Sequence, residues 1–486
     1  MNFFKHCLFL CGIAAGIVFF TGCSSFVNAH RQKEQLMSYY LSGRNEQTKQ
    51  IIDDKLRSTS GAGDEVMWLL EAGSFNFNTG NFAASLENFR SAEKLIAEYD
   101  ERAVVSIRDA MSESATTLTN LNTLPYRGFC RDRIALSFFK SLSYLGDGNE
   151  AAFRAQLRRL RDEQKNVIEN YQKIFDAAQA EVYASNKKNQ RTLNADSREF
   201  LNQANSEEFN ASYQQLKTAA NRGYGYFLNP AAIFLSGLGN IRDGLYDNAK
   251  IDFKRLYEAR PQSRLFQQYY VTVLRAANQE IPPELKSVES FNFPLAHDCI
   301  YLIFANGRSA ALKQVSISFP VMAAWPMCRY FPAPYRKLQI AAGGKNYETS
   351  LLSDMDGIIS QEFDELLPGL ITRIVVSTAI KETGSYAAFY AANQAHWALG
   401  LAVLLSSSLY RSAFNTADTR SWEILPKEFQ LAQFPVPTDR RIVIAPDGIG
   451  GKARTIELPP DCRSAIIFIN APSAEVFSTY ILPMNQ

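Results

Sequence analysis

The sequence predicts an α+β fold: an N-terminal all-α domain of helical repeats with a long helical hairpin, then a mixed α/β domain ending in a small antiparallel sheet. Three observations predict it. Apolar residues recur at helical spacing from about Val27 to Pro283, two of these stretches repeat the same intervals, and short strands and prolines follow. We therefore expect a helical domain at residues 23–285 and a mixed domain at residues 286–486.

The N-terminus is typical of a secretory signal, which we place at residues 1–22. Lys5 precedes an apolar stretch that is shorter than the roughly 20 residues a membrane-spanning helix needs. Phe20-Thr21-Gly22-Cys23 resembles the lipobox of bacterial lipoproteins, although leucine is commoner than Phe20 at its position. The resemblance implies cleavage before Cys23 and acylation of its thiol. The alternative is a plain secretory signal in which this cysteine is incidental.

The residue after the lipobox bears on localisation. Ser24 stands where an aspartate would resemble the inner-membrane retention signal of lipoproteins. We therefore expect a protein that is lipid-anchored in the outer membrane and faces the periplasm. Acyl chains supply enough apolar burial for lasting membrane attachment when more than one is present.

Two helical stretches share one spacing of glycine and aromatic residues. In each, two glycines stand seven residues apart, and aromatic residues follow the second glycine at two and nine positions. These are Gly73, Gly80, Phe82 and Phe89 in the first copy, and Gly237, Gly244, Tyr246 and Phe253 in the second. The pattern resembles the tetratricopeptide repeat (TPR), a helix–turn–helix unit of about 34 residues. A poorer third copy runs from Arg133 through Gly148 to Leu160, and a generic helical bundle is the alternative.

The region between the repeats keeps apolar residues three and four apart from Phe153 to Ala178. This spacing is compatible with a coiled-coil seam. We prefer an ordinary hairpin, with its tip at Ser185 to Asp196 and its second arm from Phe200 to Ala220.

The C-terminal half mixes both kinds of element. Strands are predicted at His297 to Phe304 and Val315 to Phe319, and helices at Asp354 to Lys381 and Tyr386 to Tyr410. Four alternating runs in the tail are expected to form one antiparallel sheet. They are Arg441 to Ala445, Ala453 to Leu458, Ser464 to Asn470 and Glu475 to Leu482.

Composition excludes some function classes. The net charge is +2, from 51 basic and 49 acidic residues, and no long basic run is present, which argues against a nucleic-acid partner. The cysteines that follow Cys23 are scattered without metal-ligand spacing, so we expect no metal. A disulfide among Cys299, Cys328 and Cys462 is possible in an oxidising compartment, and buried thiols are the favoured alternative.

Candidate catalytic residues are few. His30 lies in the expected tether and His396 in an apolar helix, whereas His297 stands next to Asp298 and Cys299. A Cys-His nucleophile is conceivable there, but a histidine at a strand end beside a buried cysteine is favoured. Gly343-Gly344-Lys345 and Gly450-Gly451-Lys452 lack phosphate-loop spacing and are interpreted as hairpin turns. We therefore predict that the protein is not an enzyme and needs no cofactor.

One short segment concentrates charge and an aromatic ring. Asp418, Arg420 and Trp422 stand two residues apart, and Leu425-Pro426 follows. A guanidinium can pair with a carboxylate and stack on an indole. The segment is either a binding surface or a structural junction between the helices and the terminal sheet, and the junction is favoured.

Several of these features together resemble an uncharacterised family of bacterial TPR-containing lipoproteins. They are the Asn229-Pro230 helix start, the Gly237 to Pro261 repeat, the Glu362-Phe363…Leu367-Pro368…Arg373 helix and the Asp418 to Pro426 segment. Members are often encoded beside a lipoprotein that resembles an activator of penicillin-binding proteins, which implies work in the cell envelope.

We accordingly expect a lipid-anchored envelope scaffold or adaptor that binds a protein or peptide partner through its repeats. Asn76 and Asn240, on the first helix of each repeat, are candidates to line a groove. One alternative is a regulator that stimulates a peptidoglycan synthase through residues 286–486. A less favoured alternative is an envelope hydrolase that uses Cys299 and His297.

Overall fold

The computed structural model describes residues 32–110, 125–167, 169, 207–225, 228–317, 323–367, 417–448 and 451–484. Some predictions concern residues outside these ranges. They are the signal peptide, Cys23, His30, the hairpin tip, the Gly450 turn, the helices beyond residue 367 and His396.

The N-terminal half is helical, and several of its helices begin at recognisable caps. Asn229 accepts a hydrogen bond from the N–H of Ala231 (3.1 Å) with Pro230 in the first helical position, as the sequence predicts. Ser263 caps the last of these helices. The helices are α1 (residues 32–41), α2 (Asn45–Thr59), α3 (Glu65–Asn78), α4 (Phe82–Ala110), α5 (Cys130–Gly146), α6 (residues 150–167), α7 (Glu207–Ala220), α8 (Pro230–Arg242), α9 (Tyr246–Ala259) and α10 (Arg264–Ala276).

Three of the helix pairs that follow α2 turn at a glycine in the same backbone conformation, which Gly43 (φ 71°) also adopts between α1 and α2. The pairs are α3–α4, α5–α6 and α8–α9, and their turns contain Gly80, Gly148 and Gly244 with φ of 80°, 75° and 71°. Positive φ favours glycine, which has no Cβ to clash with the backbone. The three turns therefore share one local geometry.

The first and third pairs also share one close contact between their helices. A Cβ on Gly73 would lie 2.5 Å from the Phe89 ring, and a Cβ on Gly237 would lie 2.7 Å from the Phe253 ring. Both distances are too short for any side chain larger than hydrogen. The repeated interval in the sequence thus corresponds to an aromatic ring of the second helix seated on a glycine of the first.

The C-terminal half forms three β-sheets around a short helix, α11 (residues 355–367). A five-stranded sheet has the order β11-β10-β1-β7-β6, a four-stranded sheet has the order β5-β4-β8-β9, and β2 pairs with β3 as a hairpin. The strands are β1 (Cys299–Asn306), β2 (Ala311–Ile317), β3 (Ala323–Arg329), β4 (Leu338–Ala342), β5 (Lys345–Glu348), β6 (Ser350–Asp354), β7 (Glu428–Pro435), β8 (Arg441–Pro446), β9 (Arg454–Glu457), β10 (Ala465–Ala471) and β11 (Ser478–Pro483).

The five-stranded sheet is the middle of three layers. Helices α3, α5 and α8 cover one face, where ring centroids of Phe77 and Phe468 lie 4.9 Å apart and those of Phe234 and Tyr301 lie 6.0 Å apart. The other face packs on the four-stranded sheet through a second apolar core that includes Ile300. The first core therefore contains residues from both sides of the boundary expected near residue 285.

The general fold class is confirmed: N-terminal helices precede C-terminal sheets in a mixed fold. The prediction of one small antiparallel sheet in the tail is wrong. Strands β8 and β9 belong to the four-stranded sheet, whereas β10 lies in the five-stranded sheet and pairs with β1 in parallel. All of β10 is buried, because its two faces contact different cores. Among the described residues, no helix has the length and apolar character needed to cross a bilayer.

Candidate functional site

Arg420 ties the segment singled out in the sequence to the start of α3. Its guanidinium donates to both carboxylate oxygens of Asp418, at 2.9 and 2.7 Å, and to Asp64 at 3.0 Å. Burial disfavours the charged guanidinium, but Asp418 and Asp64 outweigh it and raise the pKa of Arg420 above its usual value. Asp418 and Arg420 therefore form the predicted ion pair, and Arg420 also joins this segment to the helical layer through Asp64.

Trp422 is part of the apolar core. Its side chain is 2% exposed, and its ring centroid lies 6.0 Å from that of Phe89 and 6.1 Å from that of Phe139. The indole N–H donates to the Ser74 hydroxyl at 3.0 Å, so the buried polar atom has a partner. The indole is thus fixed between the helices and the sheet, which favours the structural junction over a binding surface for these three residues.

The backbone of the same segment is held by a buried carboxylate that the sequence did not single out. Glu71, on α3, accepts hydrogen bonds from the N–H groups of Glu423 at 2.7 Å and Ile424 at 2.9 Å. The residue is fully buried. A carboxylate with two backbone donors stabilises both groups in a region that water does not reach.

Two cations complete this cluster, which we call the charged junction: Lys33, Glu71, Arg308 and Glu423. Lys33, on α1, donates to the carbonyl of Ser421, and its Nζ lies 3.7 Å from Glu71 and 3.4 Å from Glu423. Arg308 donates to Glu423 at 2.5 Å. With Glu71 ionised, the four side chains carry two positive and two negative formal charges.

Burial and neighbouring charges move the two junction carboxylates in opposite directions. Burial raises the pKa of Glu71 to about 7, although Lys33 partly opposes this shift. Burial also acts on Glu423, but Lys33 and Arg308 outweigh it and hold its pKa below the usual value. Such a split is also found in acid–base pairs of enzymes. Here both carboxylates bond to protein groups inside the core, so the arrangement holds α1 and α3 against the segment that contains Glu423.

A second buried carboxylate holds the helical layer at another point. Glu362, on α11, accepts from the N–H groups of Cys130 (2.7 Å) and Arg131 (3.2 Å) at the start of α5 and from the Arg131 guanidinium (3.1 Å). Burial raises the pKa of Glu362, and Arg131 opposes the shift. Glu362 is fully buried, because the N-terminus of α5 covers it. Helical periodicity carries no signal of such a partner, which is 231 residues away.

The structure separates the residues of the Cys-His hypothesis. His297 is 61% exposed in its side chain and lies 2.9 Å from Asp298, whereas Cys299 is fully buried. Asp298 has a φ of 52°, which breaks the strand alternation that would put His297 and Cys299 on one face. Burial raises the pKa of the Cys299 thiol to about 12, so its reactive thiolate is disfavoured.

The remaining sequence candidates are placed as follows. Cys299, Cys328 and Cys462 are free and buried, so the alternative of a disulfide among them is not seen. Gly343 and Gly344 form a turn with positive φ, as predicted. No cluster of metal-ligating residues occurs in the described part of the chain.

One face of the helical layer is covered by the five-stranded sheet of the protein itself. Asn76 and Asn240 lie on α3 and α8, the helices that the five-stranded sheet covers. Asn240 donates to Asp252 at 3.0 Å and is half-buried. A partner therefore cannot enter between these helices and the sheet without displacing part of the core.

Comparison with family models, curated proteins and solved structures gives no significant match. The resemblance to TPR-containing lipoproteins stays a prediction from the sequence.

Proposed function

We propose that the protein is a lipid-anchored scaffold or adaptor of the cell envelope, attached through Cys23 and binding a protein or peptide partner. The observation that carries the proposal is the layer of three helix pairs with matched glycine turns at Gly80, Gly148 and Gly244. Stacked helix pairs of TPR type commonly provide extended binding surfaces. The lipobox supports the anchor and its outer-membrane location.

We place the proposed partner surface on the outside of the body. Helices α3, α5 and α8 face the sheet, so the surface that many repeat proteins use is taken up by residues such as Phe468 and Tyr301. The other helix of each pair and the sheet edges are left for contacts with a partner.

The proposed anchor would keep this body close to the membrane. Lys33 is fixed in the charged junction and follows Cys23 by ten residues. A fully extended chain of this length reaches at most about 36 Å. A partner bound to the body would then be confined to the same narrow layer of the envelope.

In-cell cross-linking of the lipidated protein, followed by capture and mass spectrometry, tests the proposal. The control is Cys23→Ser, which removes the acylated thiol and leaves the body unchanged. A partner captured with the native protein and lost with the control is the expected result. Absence of any partner under conditions that capture known envelope complexes would overturn the proposal.

A further inference from the structure

The final strand, β11, is an edge of the five-stranded sheet and pairs with β10. The Met484 N–H donates to the Ser464 carbonyl at 2.7 Å, in the same antiparallel register as the strand. Bonded and non-bonded pairs alternate along an antiparallel ladder. Every second residue back from Met484 is therefore bonded to β10, and the residues between them direct their backbone groups away from it.

The outward set consists of Thr479, Ile481 and Pro483. Proline has no N–H, and its place in the outward set agrees with the preference of proline for positions that do not donate to the ladder. Among the described residues, no acceptor bonds to the N–H of Thr479 or Ile481. Both residues are half-buried. The edge thus presents donors and acceptors at two-residue spacing.

Other sheet edges of the protein carry protection that β11 lacks. The outer strands of the four-stranded sheet, β5 and β9, are short and contain charged residues at both ends. At the opposite edge of the five-stranded sheet, the Tyr224 hydroxyl accepts the N–H of Asp354 at 2.9 Å. The sequence of β11, Ser-Thr-Tyr-Ile-Leu-Pro, has no charge. An open, uncharged edge strand is a ready template for pairing with another strand.

We propose that β11 binds an extended segment of a partner protein, which adds to the five-stranded sheet as a further strand. This proposal rests on the proposed function and specifies its binding site. Backbone hydrogen bonds to Thr479 and Ile481 would supply affinity, as in other cases of strand addition.

The surroundings of the edge define the chemistry of the bound segment. On the helical side, the rings of Phe82 and Tyr480 lie 5.6 Å apart, and on the other side Phe477 and Ile481 pack on the second core. Apolar side chains therefore flank the edge above and below the sheet, and at one end the Arg454 guanidinium lies over the Phe477 ring, 3.8 Å from its centroid. The segment is expected to be uncharged and rich in β-branched or aromatic residues on both of its faces.

A second copy of this chain fits the edge less well than a peptide. The α3–α4 turn lies directly over Tyr480, whose hydroxyl donates to the Asn78 carbonyl at 2.8 Å. Paired strands are about 4.8 Å apart, whereas a helix with its side chains is about 10 Å wide. In a pairing that sets Tyr480 opposite Tyr480 of a second copy, both turns would lie over the same place, whereas a peptide has no such layer.

The test compares Thr479→Pro with its matched control, Thr479→Val, in the full mature protein. Proline removes the outward N–H at a position that donates nothing to β10, and valine keeps that N–H with a side chain of similar shape. The probe is a displayed library of random peptides of about ten residues, selected on the native protein and then resynthesised. Thermal melts check that both variants fold.

Selected peptides are expected to be uncharged and apolar in their central residues. They should bind the native protein and Thr479→Val equally and Thr479→Pro at least about tenfold more weakly. In the native protein, hydrogen exchange at the amides of Thr479 and Ile481 should be fast when free and slow with peptide bound. This exchange measurement uses only the native protein, so it tests the proposal even if Thr479→Pro does not fold.

Three outcomes would overturn the proposal. In the first, the selection yields no peptide. In the second, selected peptides bind Thr479→Pro as tightly as the native protein. In the third, bound peptide leaves the hydrogen exchange of the Thr479 and Ile481 amides unchanged. Sedimentation showing dimers that Thr479→Pro dissociates would also overturn it, because the occupant would then be a second copy. Capture of an envelope partner equally by native protein and Thr479→Pro would reject this site while leaving the scaffold function in place.

Discussion

At the scale of single residues, three buried carboxylates join parts of the chain that are distant in sequence. Glu71 and Glu362 each accept two backbone N–H groups, and Asp356 accepts the N–H of Ala310 at 2.7 Å. Each places an ionisable carboxyl group inside the core, where an unpaired charge costs several kcal/mol. Their role here follows from the donors they satisfy, since these N–H groups would otherwise be buried without partners.

Glu71 should give the protein a stability that declines as pH rises. Burial raises its pKa to about 7 in the folded state from 4.5. Between those values the folded protein holds a proton that the unfolded chain has released. The stabilisation is therefore complete below about pH 4.5 and is lost as pH rises through about 7, with a limit of about 3 kcal/mol.

Urea unfolding at several pH values between about 5 and 8 tests this, with Glu71→Gln as the matched variant. The glutamine does not titrate, so the difference in unfolding free energy between native protein and variant should fall with pH. Titrating groups that do not interact with Glu71 behave alike in both proteins and cancel in that difference, whereas Lys33 and Glu423 are its charged neighbours. A difference that stays constant with pH would show that Glu71 is ionised throughout the range.

At the scale of elements, the glycine–aromatic contacts set the distance between paired helices. Alanine at Gly73 would gain about 1 kcal/mol of helix propensity. Its Cβ, however, would lie 2.5 Å from the Phe89 ring, and such overpacking typically costs about 1–3 kcal/mol. We expect Gly73→Ala to lower the unfolding free energy overall, by up to about 2 kcal/mol, in chemical denaturation.

A double variant separates this contact from a general effect of alanine. Phe89→Leu removes the ring that the new Cβ meets, so Gly73→Ala should cost less in the Phe89→Leu background than in the native protein. Equal costs in both backgrounds would mean that the ring does not set the helix distance. The same comparison applies to Gly237 and Phe253, because the contact there is equivalent.

The sequence predicted helices better than sheets, for a physical reason. Helical spacing and glycine intervals are local, and they placed the α8–α9 pair and its Asn229 cap correctly. Strand β7 (Glu428–Pro435) was missed, and β10 was assigned to the wrong sheet. Strand order depends on which face each core covers, and a fully buried run such as β10 has no alternation from which to infer a face.

The candidate site shows the same limit. The sequence brought Asp418, Arg420 and Trp422 to attention because they are close along the chain. It gave no reason to join them to Glu71 or Lys33, which are more than 340 residues away. Long-range ion pairs of this kind leave no periodic pattern, and in one sequence only the unusual presence of a glutamate inside the apolar α3 could have drawn attention.

At the scale of the whole molecule, the helical layer and the sheets depend on each other. Each of the helices α3, α5 and α8 packs one aromatic ring on a ring of the sheet. The contacts are Phe77 with Phe468, Phe138 with Phe429, and Phe234 with Tyr301. Repeat domains that stand alone need polar caps on their outer faces. Here the sheet covers the face that would otherwise remain apolar, and the charged junction locks the two layers together through Glu71.

Residues 286–484 alone should therefore not form a stable, soluble unit. Without the helices, apolar side chains on one face of the five-stranded sheet, such as Ile303, Phe429, Leu431 and Phe468, would be exposed. Burial of each is worth about 1.5–3 kcal/mol, so their combined loss approaches the whole net stability of a typical domain. We expect the isolated fragment to bind an apolar fluorescent dye and to melt without a cooperative transition. The mature chain is expected to bind no dye and to melt cooperatively.

Co-expression of the fragment with residues 24–285 should restore cooperative melting. A monodisperse fragment with a cooperative melt would mean that the sheets fold independently, and the synthase-regulator alternative could then be tested with residues 286–486 on their own.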